Sequence, residues 1–399
     1  MKILVLTSVY KDYSLGKKDT STNIVNSFVQ EWKRQGHDII VIHNSHCYPV
    51  AVHKIPVAIK SKLAARMGFA IADYDVVREK IYDDGVKVFR LPIKKVIPHK
   101  TPSEKIIKLQ IEKIVNILDQ LNFVPDVITG HWASPQMELI FGLKKIYNCK
   151  TACVLHGMGY VNDSSFDSKK YLQGIDVLGC RSVSQARQIK KLLHLESMPF
   201  VCYSGIPDSY IEKYKLSIKK FRNINKWIIT FVGRLVSYKN VDSIIKALAK
   251  IENVDWEFNV IGDGAEKKRL EELTRALGIE NKVHFFGKIS RDRVMSILNK
   301  THVFAMISTN ETFGLVYLEA MASSCLTIAS RNGGVDGIIV NRKNGFLCEE
   351  GNHVELECII RKIMSNDGEN NISIVQNGYL TAQEYSDSNM AKRYLNVIS

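Results

Sequence analysis

The feature that most constrains the fold is a repeated unit of short apolar run, glycine-containing or polar loop, and amphipathic helix. At the start of the chain, Lys2–Leu6 is apolar, residues 11–22 are polar, and residues 23–34 carry apolar side chains at helical spacing. Further apolar runs that lead into loop and helix occur at Trp227–Val232 and Phe258–Ile261. Short apolar runs bounded by turns are typical of buried strands. Strands that alternate with helices form parallel sheets, so the sequence predicts an α/β protein.

Length and composition predict two globular domains. The chain has 399 residues, of which 45% are hydrophobic and 24% are charged. It is too long for one ordinary core and too apolar for a disordered chain. A loop at Ser204–Pro207 separates two sets of apolar runs. We predict domains over residues 1–205 and 206–380, a terminal helix over 381–399, and a lysine-rich linker over 211–226.

The formal net charge of +14 is unevenly distributed. Residues 1–200 contain 29 basic and 18 acidic side chains, whereas residues 201–399 contain 26 and 23. A positive excess favours partners such as anionic lipid surfaces or phosphorylated acceptors, and no motif indicates nucleic-acid binding. Residues 51–100 are especially basic, with an apolar stripe at every fourth residue from Ile55 to Met67. Two interpretations stay open there: a solvated surface helix, or contact with an anionic membrane.

The cysteines and the amino terminus indicate a reducing compartment. The eight cysteines form no C-x-x-C pair, which is typical of buried free thiols. The first residues carry too few apolar side chains for a signal peptide, and no window offers the ~18 apolar residues of a membrane span. We expect a cytoplasmic protein, with peripheral association at the inner face of a membrane left open.

The stretch E-T-F-G-L-V-Y-L-E at Glu311–Glu319 constrains the function. An apolar run precedes it and apolar residues recur at helical spacing after Gly314, so we predict strand, loop and helix with Gly314 at the helix start. The unpaired N–H groups and the dipole of a helix start attract phosphate. Glu311 lies in the loop, and Glu319 lies about 7–8 Å along the helix axis. Two carboxylates that flank a phosphate-binding end suit a nucleotide sugar.

Two cations follow the first predicted strand of the second domain. Arg234 comes directly after Gly233, and Lys239 follows five residues later, before a helix. Because the carboxyl ends of parallel strands meet at one edge of a sheet, we expect both cations to lie near Glu311. A guanidinium and an ammonium suit a diphosphate.

Two histidines follow predicted strands of the first domain: His131 comes after the run that begins at Asp126, and His156 comes after Thr151–Leu155. Ligands of open α/β sheets bind at these strand ends, and the glycines after His156 permit a close approach of backbone to a ligand. We therefore favour His156 as a site residue and leave His131 open between ligand contact and a buried histidine. Asp73-Tyr74-Asp75 has the D-x-D form of a metal motif but follows no strand run, so we interpret it as surface charge.

The chain resembles the retaining GT-B glycosyltransferases, in particular glycosyltransferase family four, or group 1. The resemblance spans the chain, is strongest from Phe231 to Leu347, where the donor-binding signature lies, and is weakest before Asp126. The resemblance rests on Gly233-Arg234, Lys239, the two glutamates joined through F-G-L, and Asn344-Gly345-Phe346-Leu347. It implies two Rossmann-like domains whose parallel sheets face an interdomain cleft. It also implies a carboxyl-terminal helix that crosses back to the first domain.

The resemblance implies a hexosyltransferase that moves a sugar, with retention, from a nucleoside diphosphate-sugar to an acceptor hydroxyl in polysaccharide or glycolipid synthesis. The implied catalytic residues are His156, Arg234, Lys239 and Glu311. The implied donor-binding residues are Gly16, Gly233, Phe313, Gly314, Leu315 and Glu319. The implied partners are the nucleotide sugar and a carbohydrate or lipid-linked acceptor. No metal or other cofactor is expected, because cations of the chain meet the diphosphate.

The sequence departs from the family at residues 323–326, which read S-S-C-L where C-G-K-P is usual, and at Asp336-Gly337, where P-E is usual. These positions shape the rim of the donor pocket in the family, so the sugar stays undetermined. Two alternatives remain: a non-catalytic partner that binds a nucleotide sugar, and an epimerase of the same fold. The retained charged residues argue against a degenerate, non-catalytic copy.

Overall fold

Each half of the chain builds its own parallel sheet in the computed structural model. The first unit contains Met1–Arg181, Gln185–Cys202 and Met390–Ser399, and the second contains Ser182–Ser184 and Tyr203–Asn389. The residues that the structure describes are 1–18, 24–56, 59, 74–95, 101–159, 166–222, 224–309, 311, 313–365 and 368–399.

The sheet of the first unit has eight strands among the described residues. They are β1 (Lys2–Thr7), β2 (Asp38–His43), β4 (Lys80–Asp83), β5 (Lys87–Arg90), β7 (Val127–His131), β8 (Lys150–Leu155), β9 (Val177–Cys180) and β10 (Phe200–Val201). Their order is β10-β9-β8-β7-β1-β2-β5-β4, and only β4 runs antiparallel to its neighbour. A separate parallel pair joins β3 (His46–Cys47) to β6 (Ile93–Lys94).

The strand β1 is buried on both faces. Successive residues of a strand point to opposite faces, and Leu4 and Val5 are both fully buried. This explains why its sequence is a continuous apolar run rather than an alternating one. The helices of this unit are α1 (Ile24–Arg34), α2 (Val50–His53), α3 (Tyr74–Val77), α4 (Glu104–Gln120), α5 (Gln136–Tyr147), α6 (Ser168–Leu172) and α7 (Val183–Leu193).

The sheet of the second unit has six described strands, all parallel. They are β11 (Trp227–Val232), β12 (Trp256–Ile261), β13 (Val283–Gly287), β14 (Val303–Met306), β15 (Leu326–Ser330) and β16 (Phe346–Cys348), in the order β13-β12-β11-β14-β15-β16. The helices of this unit are α8 (Asp208–Lys213), α9 (Val241–Leu248), α10 (Lys267–Ala276), α11 (Arg291–Leu298), α12 (Leu315–Ala322), α13 (His353–Ser365) and α14 (Gly368–Glu384). The alternation of strand and helix predicted for this half is confirmed.

The predicted linker over residues 211–226 is wrong. Part of it lies in α8, and Lys219–Phe221 forms a short 3-10 helix. The ammonium of Lys220 donates to the carbonyl oxygens of Thr301 at 2.6 Å and Ser323 at 2.8 Å. The segment therefore packs against the second unit, because a lysine can bind carbonyl groups that the helix ends leave unpaired.

The end of the chain forms two helices rather than one. After α14 the chain bends at Tyr385 and Ser386, and α15 (Asp387–Ile398) follows. Ser386 bridges to Ile206, and a Cβ on Gly205 would lie 2.3 Å from the nitrogen of Asp387. The bend therefore packs against Gly205, where any side chain would clash with it.

Two sequence interpretations concern residues that the structure describes only in part. Most of the apolar stripe between Ile55 and Met67 lies outside the described residues, so contact with an anionic membrane stays a prediction. Asp73 also lies outside them. Asp75 belongs to the first turn of α3, and its backbone carbonyl accepts a hydrogen bond from Arg90 Nη1 at 3.1 Å.

Both sheets contain a point where the strand order reverses. In the first unit β1 lies between β2 and β7, and in the second β11 lies between β12 and β14. At such points the connections leave toward opposite faces, which opens a crevice beyond the carboxyl ends of the strands. The structure therefore offers one such crevice per unit, beyond β1 and β7 and beyond β11 and β14.

Close backbone packing holds the loops beyond β11, β12 and β13 together. The N–H of Gly233 donates to the Ile261 carbonyl at 2.9 Å, and that of Gly262 donates to the Gly287 carbonyl at 2.9 Å. Gly262 has φ 140°, and a Cβ there would lie 1.8 Å from the Gly233 oxygen. Only glycine fits, since both the conformation and the space exclude a side chain.

We expect Gly262→Ala to lower the free energy of unfolding by about 2–5 kcal/mol, which combines backbone strain with overpacking. Gly278→Ala is the matched control, because Gly278 has φ 68° and a Cβ there would meet no atom of the described residues within 4 Å. It should cost only the strain, about 1–2 kcal/mol. Urea denaturation measures both variants, and equal losses would contradict the role of close packing.

A buried carboxylate anchors the loop after β1. Asp12 is 1% exposed, and its Oδ2 accepts from Lys80 Nζ at 2.6 Å and from the buried Arg90 Nη2 at 2.8 Å. Ser14 Oγ donates to Asp12 Oδ1 at 2.6 Å. Burial by itself raises the pKa of Asp12, but the hydrogen bonds from Lys80, Ser14 and Arg90 outweigh it and lower the pKa to about 2.

The stability of the protein should therefore depend on Asp12 at acid pH. An unfolded aspartate has a pKa of about 3.9, so ionised Asp12 stabilises the fold above about pH 4, and this contribution is lost as the pH falls toward 2. Asp12→Asn should cost about 3–5 kcal/mol at neutral pH, because it leaves two cations without their carboxylate. Its stability should also fall less steeply than wild type between pH 4 and 2.

Unfolding free energies measured from pH 2 to 7 test this expectation. Asp38→Asn is the control, because Asp38 is exposed at the start of β2. Parallel pH profiles for wild type and Asp12→Asn would show that Asp12 does not carry the acid dependence.

Candidate functional site

The two loops at the switch point of the second sheet are joined by hydrogen bonds. Asn240, which has φ 51°, donates through Nδ2 to the Ile307 carbonyl at 2.8 Å and to Thr309 Oγ1 at 3.0 Å. The N–H of Thr309 donates to the Tyr238 carbonyl at 2.8 Å. The loop after β11 and the loop after β14 are thereby held as one surface.

The predicted cations and the first glutamate meet on this surface. Lys239 and Glu311 form an ion pair whose side chains are 12% and 14% exposed. Arg234, directly after Gly233, is exposed and donates through Nη2 to Tyr238 Oη at 2.9 Å. From the sequence, both cations are expected to face a diphosphate, whereas in the structure Lys239 already has a carboxylate partner.

Gly314 caps the helix α12 with a left-handed φ of 78°. A Cβ on Gly314 would lie 2.6 Å from Tyr317 Cε2. The ring of Tyr317 is fixed in place, because its hydroxyl donates to the Met306 carbonyl at 2.7 Å. Glycine is therefore required, and the first N–H groups of α12, beginning at the half-buried Leu315, remain available to an anion.

Phe313 lies in the core of this loop. It is 5% exposed and lies 5.8 Å, centroid to centroid, from Tyr203. A Cβ on Gly334 would lie 2.5 Å from the backbone nitrogen of Phe313. In this structure Phe313 supports the loop by packing, and its backbone rather than its ring borders the helix start.

Glu319 has a partner that its position in the sequence does not reveal. It is 3% exposed within α12 and forms an ion pair with Arg291, the first residue of α11, which is half exposed. A buried carboxylate is costly without such a partner. Glu319 therefore lies beside a guanidinium that offsets the cost of its burial.

The two predicted histidines meet at the switch point of the first sheet. His131 Nδ1 lies 3.0 Å from His156 Nε2, and the Trp132 ring stacks on His156 with centroids 4.1 Å apart. His131 is fully buried, whereas His156 is partly exposed. His131, left open by the sequence, is thus a buried support for His156.

The hydroxyl groups behind this pair determine the direction of its hydrogen bonds. Thr129 Oγ1 lies 2.5 Å from Tyr394 Oη, which lies 3.4 Å from His131 Nε2. Thr129 is fully buried with no other side-chain partner among the described residues, so its proton is satisfied only when it donates to Tyr394. Tyr394 then donates to His131 Nε2, and His131 Nδ1–H donates to His156 Nε2. This assignment leaves the proton of His156 on Nδ1.

Burial and neighbouring charge keep both histidines neutral. Burial and the nearby Arg181 guanidinium lower the pKa of His131 to about 3. Burial, Arg181 and His131 lower the pKa of His156 well below its ordinary value. Arg181 is itself buried and donates to the Cys202 carbonyl at 2.5 Å. His156 therefore presents a neutral N–H donor rather than a base.

Gly16, the remaining predicted donor contact, lies in the 3-10 helix Tyr13–Lys18 that follows β1. It is exposed, has φ 54° and ψ −127°, and no atom of the described residues lies within 4 Å of the place where a Cβ would stand. Its conformation requires glycine.

Several residues of these sites were not predicted from the sequence. Trp132 had a signal, since it is an aromatic residue directly after a strand-end histidine. Arg291 and Tyr394 had none, because each is distant along the chain from the residue that it contacts.

The described residues provide neither a membrane span nor a metal-binding cluster. None of the described helices is long and apolar enough to cross a membrane. Within the same part of the chain, no three His, Cys, Asp or Glu side chains gather as a metal-binding group.

Residues 213–381 match the family model described as glycosyl transferases group 1. An uncharacterized glycosyltransferase of Methanocaldococcus jannaschii is 28% identical over 61% of this chain and 66% of its own length. The N-acetyl-alpha-D-glucosaminyl L-malate synthase of Bacillus anthracis is 28% identical over 57% of this chain and 62% of its own length. These matches therefore span somewhat less than two thirds of either relative.

The fold extends over the whole chain. Anabaena HepE, solved in complex with UDP, superposes with a TM-score of 0.66 at 18% identity and covers 99% of both chains. At this identity the likeness shows the fold alone. The paired parallel sheets and this likeness show that the chain has the GT-B fold, and its residues 213–381 are similar to the group 1 glycosyltransferases.

Proposed function

We propose that the protein is a retaining hexosyltransferase that moves a sugar from a nucleoside diphosphate-sugar to an acceptor hydroxyl in polysaccharide or glycolipid synthesis. The observation that carries the proposal is the surface beyond β11 and β14. There Arg234, Lys239 and the start of α12 are held on two loops that Asn240 joins. Positive charge and free N–H groups on one rigid surface suit a diphosphate.

In the proposed complex, Arg234 and the amides at Gly314 and Leu315 bind the diphosphate, and the Lys239 ammonium bridges a phosphate and Glu311. These groups stabilise the charge that develops as the nucleoside diphosphate leaves, which is where preorganised electrostatics contributes most. Glu319, supported by Arg291, binds ribose hydroxyls. Glu311 also binds hydroxyls of the donor sugar.

The retaining step proposed here uses one face of the sugar. The bond from the anomeric carbon to the phosphate oxygen breaks, and the acceptor oxygen forms its bond on the same side. The acceptor proton passes to the leaving phosphate. No side-chain base is then needed, and His156, a neutral donor in the first unit, is not assigned as one.

The donor base and the acceptor are parts of the proposal that rest on relatives. HepE was solved in complex with UDP, which supports UDP as the first nucleotide to test. The Bacillus anthracis relative is named for L-malate, but its match covers only 57% of this chain. Its acceptor is therefore not carried over to this protein.

Loss of Lys239 should weaken UDP binding more than loss of Arg234. Arg234→Ala removes one charge-assisted contact, which is worth about 1.5–3 kcal/mol, or roughly tenfold to more than a hundredfold in affinity. Lys239→Ala removes such a contact and also leaves Glu311 unpaired beside the phosphates. Isothermal titration calorimetry measures both variants.

A double-mutant cycle tests the bridging role of Lys239. Adding Glu311→Ala to Lys239→Ala should restore part of the lost affinity, because it removes the unpaired carboxylate. Lys246→Ala is the matched control, since Lys246 pairs with Asp242 on the exposed face of α9. UDP affinity unchanged in both Arg234→Ala and Lys239→Ala would refute the assigned site.

We also propose that transfer requires no divalent metal. The positive groups of this surface already neutralise the leaving diphosphate, so a metal ion in the same place would be redundant. Transfer should proceed in excess EDTA at nearly its normal rate. Loss of activity that Mg²⁺ or Mn²⁺ restores would show that the chain's own cations are insufficient.

A further inference from the structure

A pocket of about 250 Å³ opens in the second unit between the end of α13, the start of α14 and the turn before β16. Its described lining comprises two cations, two asparagines and three apolar side chains. It lies at the amino end of β16, whose first residue is Phe346. Because the strands of this sheet are parallel, the surface proposed for the diphosphate, beyond the carboxyl ends of β11 and β14, lies at the opposite edge. The pocket is therefore a separate site.

The two cations of the lining have no carboxylate partner. Arg342 and Lys362 are exposed, and neither forms an ion pair within the described part of the chain. The next cation along α13 differs, because Arg361 pairs with Glu357 at 2.8 Å. A guanidinium and an ammonium that line one space without a counter-charge suit an anion, and the fork of an arginine suits phosphate in particular.

Arg342 occupies a backbone position that suits glycine better. It has φ 63°, and its N–H donates to the Gly345 carbonyl at 2.7 Å in the turn that leads into β16. The left-handed conformation is disfavoured for residues that carry a side chain. The turn gains nothing from an arginine, so the residue indicates a role for its side chain beyond the turn.

Asn371 supplies a hydrogen-bond acceptor without a partner. It is 3% exposed and lines the pocket. Its Nδ2 donates to the Ile363 carbonyl at 2.9 Å, which fixes the orientation of the amide, since the reverse would place oxygen against oxygen. Its Oδ1 is then left with no hydrogen bond from any described residue. Buried polar atoms rarely lack a partner, so Oδ1 indicates a ligand that donates a hydrogen bond.

The start of α14 and an apolar floor complete the pocket. Asn370 and Asn371 belong to the first turn of this 17-residue helix, where unpaired N–H groups favour negative charge. The floor is formed by side chains that are at most 6% exposed, namely Phe346, Ile363 and Ile374. A bare inorganic anion would contact neither this floor nor Asn371 Oδ1. The lining therefore suits an anionic group on a carbon skeleton that also carries a hydrogen-bond donor.

We propose that this pocket binds a small phosphate monoester with hydroxyl groups, of the size of a sugar phosphate. Arg342, Lys362 and the start of α14 bind the phosphate, and Asn371 Oδ1 accepts a hydrogen bond from a hydroxyl. The volume is below the roughly 300–1,000 Å³ of pockets for drug-sized ligands, which limits the ligand to about one ring. The inference goes beyond the proposed function and does not depend on it, because it requires no transfer.

Isothermal titration calorimetry of the full chain at constant ionic strength tests the class of ligand. The probes are glucose 6-phosphate, glucose 1-phosphate and fructose 6-phosphate, with glucose and inorganic phosphate for comparison. We expect at least one sugar phosphate to bind at least tenfold more tightly than either comparison compound, because only it meets both the cations and the floor. No binding of any sugar phosphate, or equal binding of glucose or inorganic phosphate, overturns the inference.

Substitutions of the two cations test the location. Arg342→Gly and Lys362→Ala should each weaken the best sugar phosphate by roughly tenfold. Arg342→Gly should leave the midpoint of thermal unfolding unchanged or raised, because glycine adopts this conformation without strain, so its loss of affinity is not a loss of folding. Lys343→Ala is the matched control, since Lys343 is exposed in the same turn but is not part of the described lining. Unchanged affinity in both cation variants overturns the location.

The role of Asn371 is tested with a ligand rather than a variant, because its amide also caps α13. Cyclohexyl phosphate has a ring of the same size as glucose 1-phosphate but no hydroxyl group. We expect it to bind roughly fivefold more weakly than the best sugar phosphate, as for the loss of one hydrogen bond. Equal or tighter binding of cyclohexyl phosphate would show that Asn371 Oδ1 does not select the ligand.

Phosphate groups also suit the surface beyond β11 and β14, so the experiment must separate the two sites. Saturating UDP and the substitution Arg234→Ala should both leave the affinity for the sugar phosphate unchanged. Displacement of the sugar phosphate by UDP, with loss of its binding in Arg234→Ala, would place it at the diphosphate surface and overturn this inference alone. Failure of UDP to bind would count against the proposed function, while the Arg342 and Lys362 variants would still decide this one.

Discussion

The structure depends on a constraint of parallel sheets. Where the connections from two neighbouring strands leave toward opposite faces of the sheet, they cannot cover the space beyond the carboxyl ends of those two strands. In this chain the gap lies beyond β1 and β7 in one unit and beyond β11 and β14 in the other. The loops in these gaps carry backbone N–H groups and side chains that form no hydrogen bonds with the strands of the sheet. Every residue assigned to the proposed transfer lies beside one of these two gaps or on the element that follows it.

The two gaps contain different chemistry. Beyond β11 and β14, charges are partly exposed and form pairs, as Lys239 does with Glu311. Beyond β1 and β7, the described groups beside His156 are neutral hydroxyls and imidazoles that bind buried partners. Charged groups bind a diphosphate strongly in such a setting, while neutral groups discriminate the positions of hydroxyls. The proposed transfer from a nucleotide sugar would use both kinds of surface.

Rigid backbone packing makes these surfaces specific. Gly262 touches the backbone of Gly233, and Gly314 lies over the ring of Tyr317. Either contact excludes a side chain, so the loops keep one arrangement. The anchored carboxylate of Asp12 does the same for the loop that carries Gly16. Local glycines and one buried ion pair thus fix the positions of these loops.

Much of the fold follows from the order of residues. Local patterns in the sequence predict the strands β1, β8, β11 and β12, because buried strands are continuous apolar runs. They also predict the helix after Gly314, because apolar residues recur there at helical spacing. The segment 211–226 was wrongly predicted as a linker because its lysines look solvated. Lys220 instead binds carbonyl groups of Thr301 and Ser323, residues distant along the chain.

The sequence by itself determined the family resemblance, the alternation of strand and helix, and the presence of Arg234, Lys239, Glu311 and His156 at strand ends. Only the tertiary structure decided which groups these residues meet. The pairing of Glu319 with Arg291 and the link from His156 to Tyr394 join residues far apart along the chain. Such contacts leave no local pattern, because hydrogen bonds and ion pairs depend on distance in space and not on spacing in sequence.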